Sequence, residues 1–219
     1  MLPTVTLLFM GIVAPSAAPS VRPGDWTQFR GPDRTGYSHE KGLLTEWPEG
    51  GPNRVWVATD LGGGYGSVSV VGGMIFGTGK SGDKEVVWAL DEKSGKKLWE
   101  TPFADIQRVG YGEGPRSTPT FANGKLYAVA INGELACLNA NDGKILWSKN
   151  YVRDYGGRVQ SWGYSESVLV DDGKVIGTPC SNTAAMVAWN ADDGKEIWVA
   201  KVDKAGQSGG YSSPIKAVV

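Results

Sequence analysis

The segments ALDEKSGKKLW (residues 89–99), CLNANDGKILW (residues 137–147) and AWNADDGKEIW (residues 188–198) are near-copies of one another. Their closing tryptophans, Trp99, Trp147 and Trp198, lie 48 and 51 residues apart, a period that belongs to repeat architectures. Aligned on tryptophan, the copies share an opening Asx residue (Asp91, Asn139, Asn190) and a glycine (Gly95, Gly143, Gly194). A short polar side chain that bonds the backbone ahead of it, followed by a glycine that accepts positive φ, is turn chemistry. Each copy therefore reads as strand, turn, strand. Ten residues before each tryptophan stand Ala89, Cys137 and Ala188, so this place demands a small side chain and Cys137 serves there as a small buried hydrophobe.

Upstream of each copy lies a second hairpin, in VSVVGGMIFGT (residues 68–78), PTFANGKLYAV (residues 119–129) and VLVDDGKVIGT (residues 168–178). Four short antiparallel strands in each period make a β-propeller blade. The expected fold class is all-β, a partial propeller with blades at about 67–102, 117–150 and 165–201 and the start of a next blade at 212–219. Residues 53–61, NRVWVATDL, read as an isolated outer strand with Trp56 in the docking place, suited to complete a last blade and close the ring. Three blades and one strand leave sheet edges open, so the remainder of a longer protein is expected to complete them.

The 219 residues are 41% apolar and 21% charged with a net charge of -1, a soluble globular balance. Lysine and arginine are dispersed, which argues against nucleic acid or anionic lipid as partner. Residues 1–18, apolar from Leu2 to Val13 and then rich in small residues, read as a signal peptide, with 19–52 as an N-terminal extension. That run is too short to span a bilayer, so no transmembrane span is expected. Export to the periplasm or cell envelope, or secretion, follows. His39 is the only histidine and sits in the N-terminal extension, so a Ser-His-Asp triad or a histidine-rich zinc site cannot be assembled from this chain, and no catalytic or metal residue is assigned. A bridge between Cys137 and Cys180 stays open.

The pattern Ala-x-Asp-x-x-Ser/Thr-Gly-x-x-x-Trp, met in full at residues 89–99, resembles the tryptophan-docking motif of the pyrroloquinoline-quinone (PQQ) type β-propeller repeat. WTQFRGPDRTG (residues 26–36) is similar to the opening segment of exported members of that family. The resemblance implies one of two activities. One branch consists of quinoprotein alcohol or sugar dehydrogenases that hold PQQ and a calcium ion, with a vicinal cysteine pair over the cofactor; no Cys-Cys occurs here. The other holds no cofactor and acts as scaffold, as does the bacterial lipoprotein that assists outer-membrane protein assembly. A non-catalytic binding or assembly scaffold without cofactor is the expectation, with a PQQ- and calcium-dependent dehydrogenase as the alternative.

Function then falls to the loops that join the outer strand of one blade to the inner strand of the next, at residues 62–67, 110–117, 156–167 and 206–213. Their aromatic and charged members give the ligand-face candidates Tyr65, Arg116, Trp162, Tyr164, Glu166 and Tyr211, joined by Tyr111 and Glu113. Flat rings beside hydrogen-bonding groups suit a sugar, a quinone or a peptide, so a protein or carbohydrate partner is expected. Glu113 and Glu166 also raise a paired-carboxylate hydrolase, which would need a defined carboxyl separation.

Overall fold

The computed structural model describes residues 18–202 and 211–217, so all but the last residue of the signal-peptide segment lies outside the described residues. Three four-stranded antiparallel sheets follow one another. The first holds β1 (Ser69–Val71), β2 (Met74–Ser81), β3 (Lys84–Asp91) and β4 (Lys97–Asp105); the second holds β5 (Thr120–Ala122), β6 (Lys125–Val129), β7 (Glu134–Asn139) and β8 (Ile145–Asn150). The third holds β9 (Leu169–Asp171), β10 (Lys174–Gly177), β11 (Met186–Asn190) and β12 (Glu196–Ala200). Each is a meander with neighbours paired in chain order, the arrangement of consecutive propeller blades.

The third strand of each blade is buried on both faces. In β3, Val87 and Ala89 join the apolar cluster shared with the second blade. Val86, Trp88 and Leu90 instead pack against Ala58 and Leu61 of the segment before β1. In β7, Ala136 and Leu138 face the first blade while Leu135 and Cys137 join the cluster shared with the third. Side chains alternate faces along a strand, so a strand wedged between two sheets must be apolar throughout, which accounts for the runs VVWAL and LACL.

The repeat's tryptophans bind blade to blade. Trp99 in β4 sits opposite Ala89, and Trp147 in β8 opposite Cys137. On the far side of those small residues stand Phe76 and Tyr127. The flanking rings meet over the small residue, with centroids 6.0 Å apart for Phe76 and Trp99 and 5.9 Å for Tyr127 and Trp147. A larger side chain at 89 or 137 would push them apart. Each indole then lies on the next blade: Trp99 Nε1 donates to Ala140 O and Trp147 Nε1 to Ala191 O, both at 3.2 Å.

Trp56 does the same to the first blade, donating to Glu92 O at 3.0 Å, although residues 53–61 form no strand. The docking place expected for Trp56 is thus occupied, and residues 53–61, expected as an isolated strand, pair with no strand among the described residues. Residues 212–217, expected to open a next blade, likewise form no strand; Ser213 Oγ accepts from Ser167 N at 2.9 Å.

Two features were not foreseen. A helix, α1 (Tyr151–Tyr155), follows β8, capped by Asn150, whose side chain accepts from Val152 N and Arg153 N. It drives Tyr151 into the seam between the second and third blades, stacked on Trp189 at 5.8 Å. The segment at 26–36 runs along the inner strands: Trp26 pairs with Val70, Thr27 O accepts from Phe121 N, and buried Arg34 donates to Ser167 O and Val168 O. It staples three blades at edges that would otherwise stay unpaired.

Cys137 and Cys180 are both free. Burial pushes the Cys137 thiol up to about 12, so it is inert in the core.

Replacing Trp147 with alanine is expected to cost about 3 kcal/mol, at the lower end for a large aromatic because the ring is only partly buried. Gly143→Ala should also destabilise, by more than about 1 kcal/mol. Residue 143 has φ +72°, and a Cβ would lie 2.5 Å from the Trp99 ring. Urea unfolding of both variants measures this; a loss within the range of ordinary surface changes, about 0.5 kcal/mol, would mean that the indoles do not bind the blades.

Candidate functional site

The loops between blades converge on a cavity of about 620 Å³ lined by Tyr65, Tyr111, Arg116, Trp162, Ser165 and Tyr211. Each loop supplies one exposed ring. Tyr65 is carried by residues 62–67, which lean on the next loop through Tyr65 N donating to Pro115 O at 2.8 Å. In the third loop Gly163, at φ +72°, reverses the chain so tightly that a Cβ would strike Ile131 at 2.1 Å. That reversal sends Trp162 outward and Tyr164 inward, although the two are nearly adjacent in sequence.

The rings form a row. Tyr65 and Tyr111 are 5.9 Å apart, Tyr111 and Trp162 6.2 Å, and Trp162 and Tyr211 5.2 Å. Arg116 closes one end, its guanidinium 5.0 Å from the Tyr65 ring, a cation–π contact. It also donates to Gly114 O at 2.8 Å and to Tyr111 O, so it shapes its own loop.

Of the six candidates, Tyr65, Arg116, Trp162 and Tyr211 share this cavity, while Tyr164 and Glu166 do not line it. Tyr164 is buried edge-on against Tyr151 at 5.1 Å, with its hydroxyl donating to Pro179 O at 3.1 Å. Glu166 is buried and accepts from Thr178 N at 2.8 Å and from the Thr178 hydroxyl. Burial raises its pKa against the pull of the Thr178 bonds. Both are turned away from the cavity, Tyr164 into the seam between the second and third blades and Glu166 onto Thr178.

Glu113 stays on the surface in ion pairs with Lys80 and Arg108, and the Lys80 bond holds its carboxyl below the usual range. One carboxylate is paired and the other is buried, which leaves no support for a two-carboxylate hydrolase. Ser165 was not singled out from sequence, since nothing marks one serine among several.

A buried acid was also missed. Glu85, at the start of β3, is fully buried; its Oε2 accepts from Ile131 N of the second blade at 3.1 Å and its Oε1 has no partner. Burial raises its pKa to about 7, countered by the Ile131 bond and by Arg116. Its only sequence signal was an acid opening an apolar run.

A family model described as outer membrane protein assembly factor BamB matches residues 82–219. The chain belongs to this family. The BamB protein of Shewanella oneidensis is 32% identical over 116 residues, which are 51% of this chain and 27% of that protein. That of Xanthomonas campestris is 37% identical over 111 residues, 48% of this chain and 25% of that protein. The quinohemoprotein alcohol dehydrogenase ADH-IIG of Pseudomonas putida is 28% identical over 136 residues, 59% of this chain and 18% of that protein. The chain therefore spans about a quarter of these relatives' length or less.

Among solved structures, a europium-containing methanol dehydrogenase superposes with a TM-score of 0.58 at 21% identity, covering 82% of this chain and 32% of that one. The quinohemoprotein alcohol dehydrogenase of Comamonas testosteroni gives 0.58 at 23%, covering 82% and 27%. These likenesses establish the PQQ-like propeller fold.

The described lining of this cavity supplies no carboxylate to a PQQ–calcium site. Calcium needs oxygen donors led by carboxylates, whereas the oxygens that line the cavity are hydroxyls of Tyr65, Tyr111, Ser165 and Tyr211. No described group of three His, Cys, Asp or Glu side chains gathers anywhere, and Cys137 is sealed between blades. Nor is any helix among the described residues long and apolar enough to cross a membrane.

Glu85 makes stability depend on pH. A carboxyl raised from an ordinary 4.5 to about 7 costs nothing below 4.5. The cost grows as pH rises through that window and is complete above 7. Glu85→Gln should therefore gain on the parent protein between pH 5 and pH 8, by up to about 3 kcal/mol. Denaturation at the two pH values checks this; parallel profiles for parent and variant would contradict it.

Proposed function

We propose that the chain supplies blades to an exported, non-catalytic propeller scaffold that takes part in assembling outer-membrane proteins in the cell envelope. The observation that carries this is the family match over residues 82–219, with BamB relatives at 26–37% identity. The cavity agrees with a binding role. Its side chains offer aromatic faces, a guanidinium and hydroxyls, without a nucleophile and base in contact.

The second reading, a quinoprotein dehydrogenase, is favoured by the ADH-IIG relative and disfavoured by the donor set around the cavity. Deleting the gene in its own host should lower outer-membrane β-barrel protein levels, and the full-length gene should restore them. Unchanged barrel levels, together with dye reduction by the purified full-length protein given PQQ, calcium and alcohols, would overturn the scaffold in favour of the enzyme.

A further inference from the structure

The four rings are evenly placed in sequence as well as in space. Tyr65, Tyr111, Trp162 and Tyr211 follow one another at 46, 51 and 49 residues, one for each loop between blades. Their exposures run from 43% to 62%, so the row is a surface and not a buried core. Neighbouring rings are tilted by 41°, 49° and 30°. Tilted neighbours make a staircase with notches between the steps.

The notch spacing is close to the side-chain repeat of an extended strand. Ring centroids stand 5.2 to 6.2 Å apart. In an extended strand, side chains on one face recur every second residue, at about 6.6 Å. Each such side chain would drop into successive notches. Charge adds a second preference, because the Arg116 guanidinium lies over Tyr65 and gives that end of the row a positive rim. Acidic residues between the apolar ones would meet this positive rim.

We infer that the aromatic row is a binding track for an extended polypeptide strand that alternates apolar with acidic or neutral polar residues. This rests on the scaffold reading for its biological setting, though the geometry stands apart from it. The occupant is an unfolded segment of another protein, held by its period-two pattern and not by one side chain.

The test is fluorescence anisotropy with the full-length protein and a labelled nine-residue peptide alternating Phe with Asp or Ser. A second peptide of the same composition carries the Phe residues in one block. The alternating peptide should bind about tenfold tighter than the blocked one, and Trp162→Ala and Tyr111→Ala should each weaken it about tenfold. Tyr37→Ala, an exposed ring far along the N-terminal extension, should leave binding unchanged.

Equal binding of the two peptides, full affinity in Trp162→Ala with an unaltered melting curve, or displacement of the peptide by cellohexaose at equal concentration would each overturn the track. Peptide binding as expected with barrel levels unchanged on gene deletion would contradict the scaffold alone. Reduced barrel levels with no peptide binding would contradict the track alone.

Discussion

The indole of Trp99 lies on Gly143 and donates to Ala140 O; the indole of Trp147 lies on Gly194 and donates to Ala191 O; that of Trp56 lies on Gly95 and donates to Glu92 O. Each acceptor carbonyl stands three residues before the glycine, so the three contacts are the same contact. It requires a glycine that leaves room for the ring, and for Trp99 and Trp147 a small residue across the sheet, Ala89 or Cys137, makes room on the other side. Sheet order, the two-faced burial of the third strands and the positions of the loops all depend on blades being held in this way. A blade alone would expose both apolar faces of its third strand, so the interface is the source of stability as well as of shape.

The loops inherit their geometry from that stacking. The loops after β4 and β8 run from the outer strand of one blade to the inner strand of the next, so fixing the blades fixes their ends. The rings of Tyr65, Tyr111, Trp162 and Tyr211 thereby come within about 6 Å of their neighbours without packing into any blade core. Residues 26–36 reinforce the arrangement from inside by pairing with inner strands, which explains why Arg34 is worth burying: it satisfies two carbonyls of the third blade.

Much of this was legible in the sequence. The Asx–glycine–tryptophan spacing gave the hairpins, and the alternation of strand and turn gave the blades, because local turn chemistry repeats with the structure. Cys137 was readable as a small core residue through its equivalence to Ala89 and Ala188. The site was half legible. Ring type and loop identity could be read, but the direction of a side chain in a loop depends on backbone turns such as that at Gly163, which put Trp162 outside and Tyr164 inside. Glu166 looked like a surface acid for the same reason, while Glu85 was hidden in a strand whose burial on two faces depends on tertiary packing. The helix at Tyr151–Tyr155 was too short for periodicity, although Asn150 and Gly156 were its cap signals.

The central claim is that the docking tryptophan stabilises the neighbouring blade more than its own. Native-state hydrogen exchange on Trp99→Ala measures this residue by residue. The amides of Asn139 and Gly143, which close the second blade's outer turn by bonding Lys144 O and Asn139 O, should exchange at least about tenfold faster while those of β3 change little. Faster exchange confined to β3 and β4, with Asn139 and Gly143 as protected as before, would contradict the account.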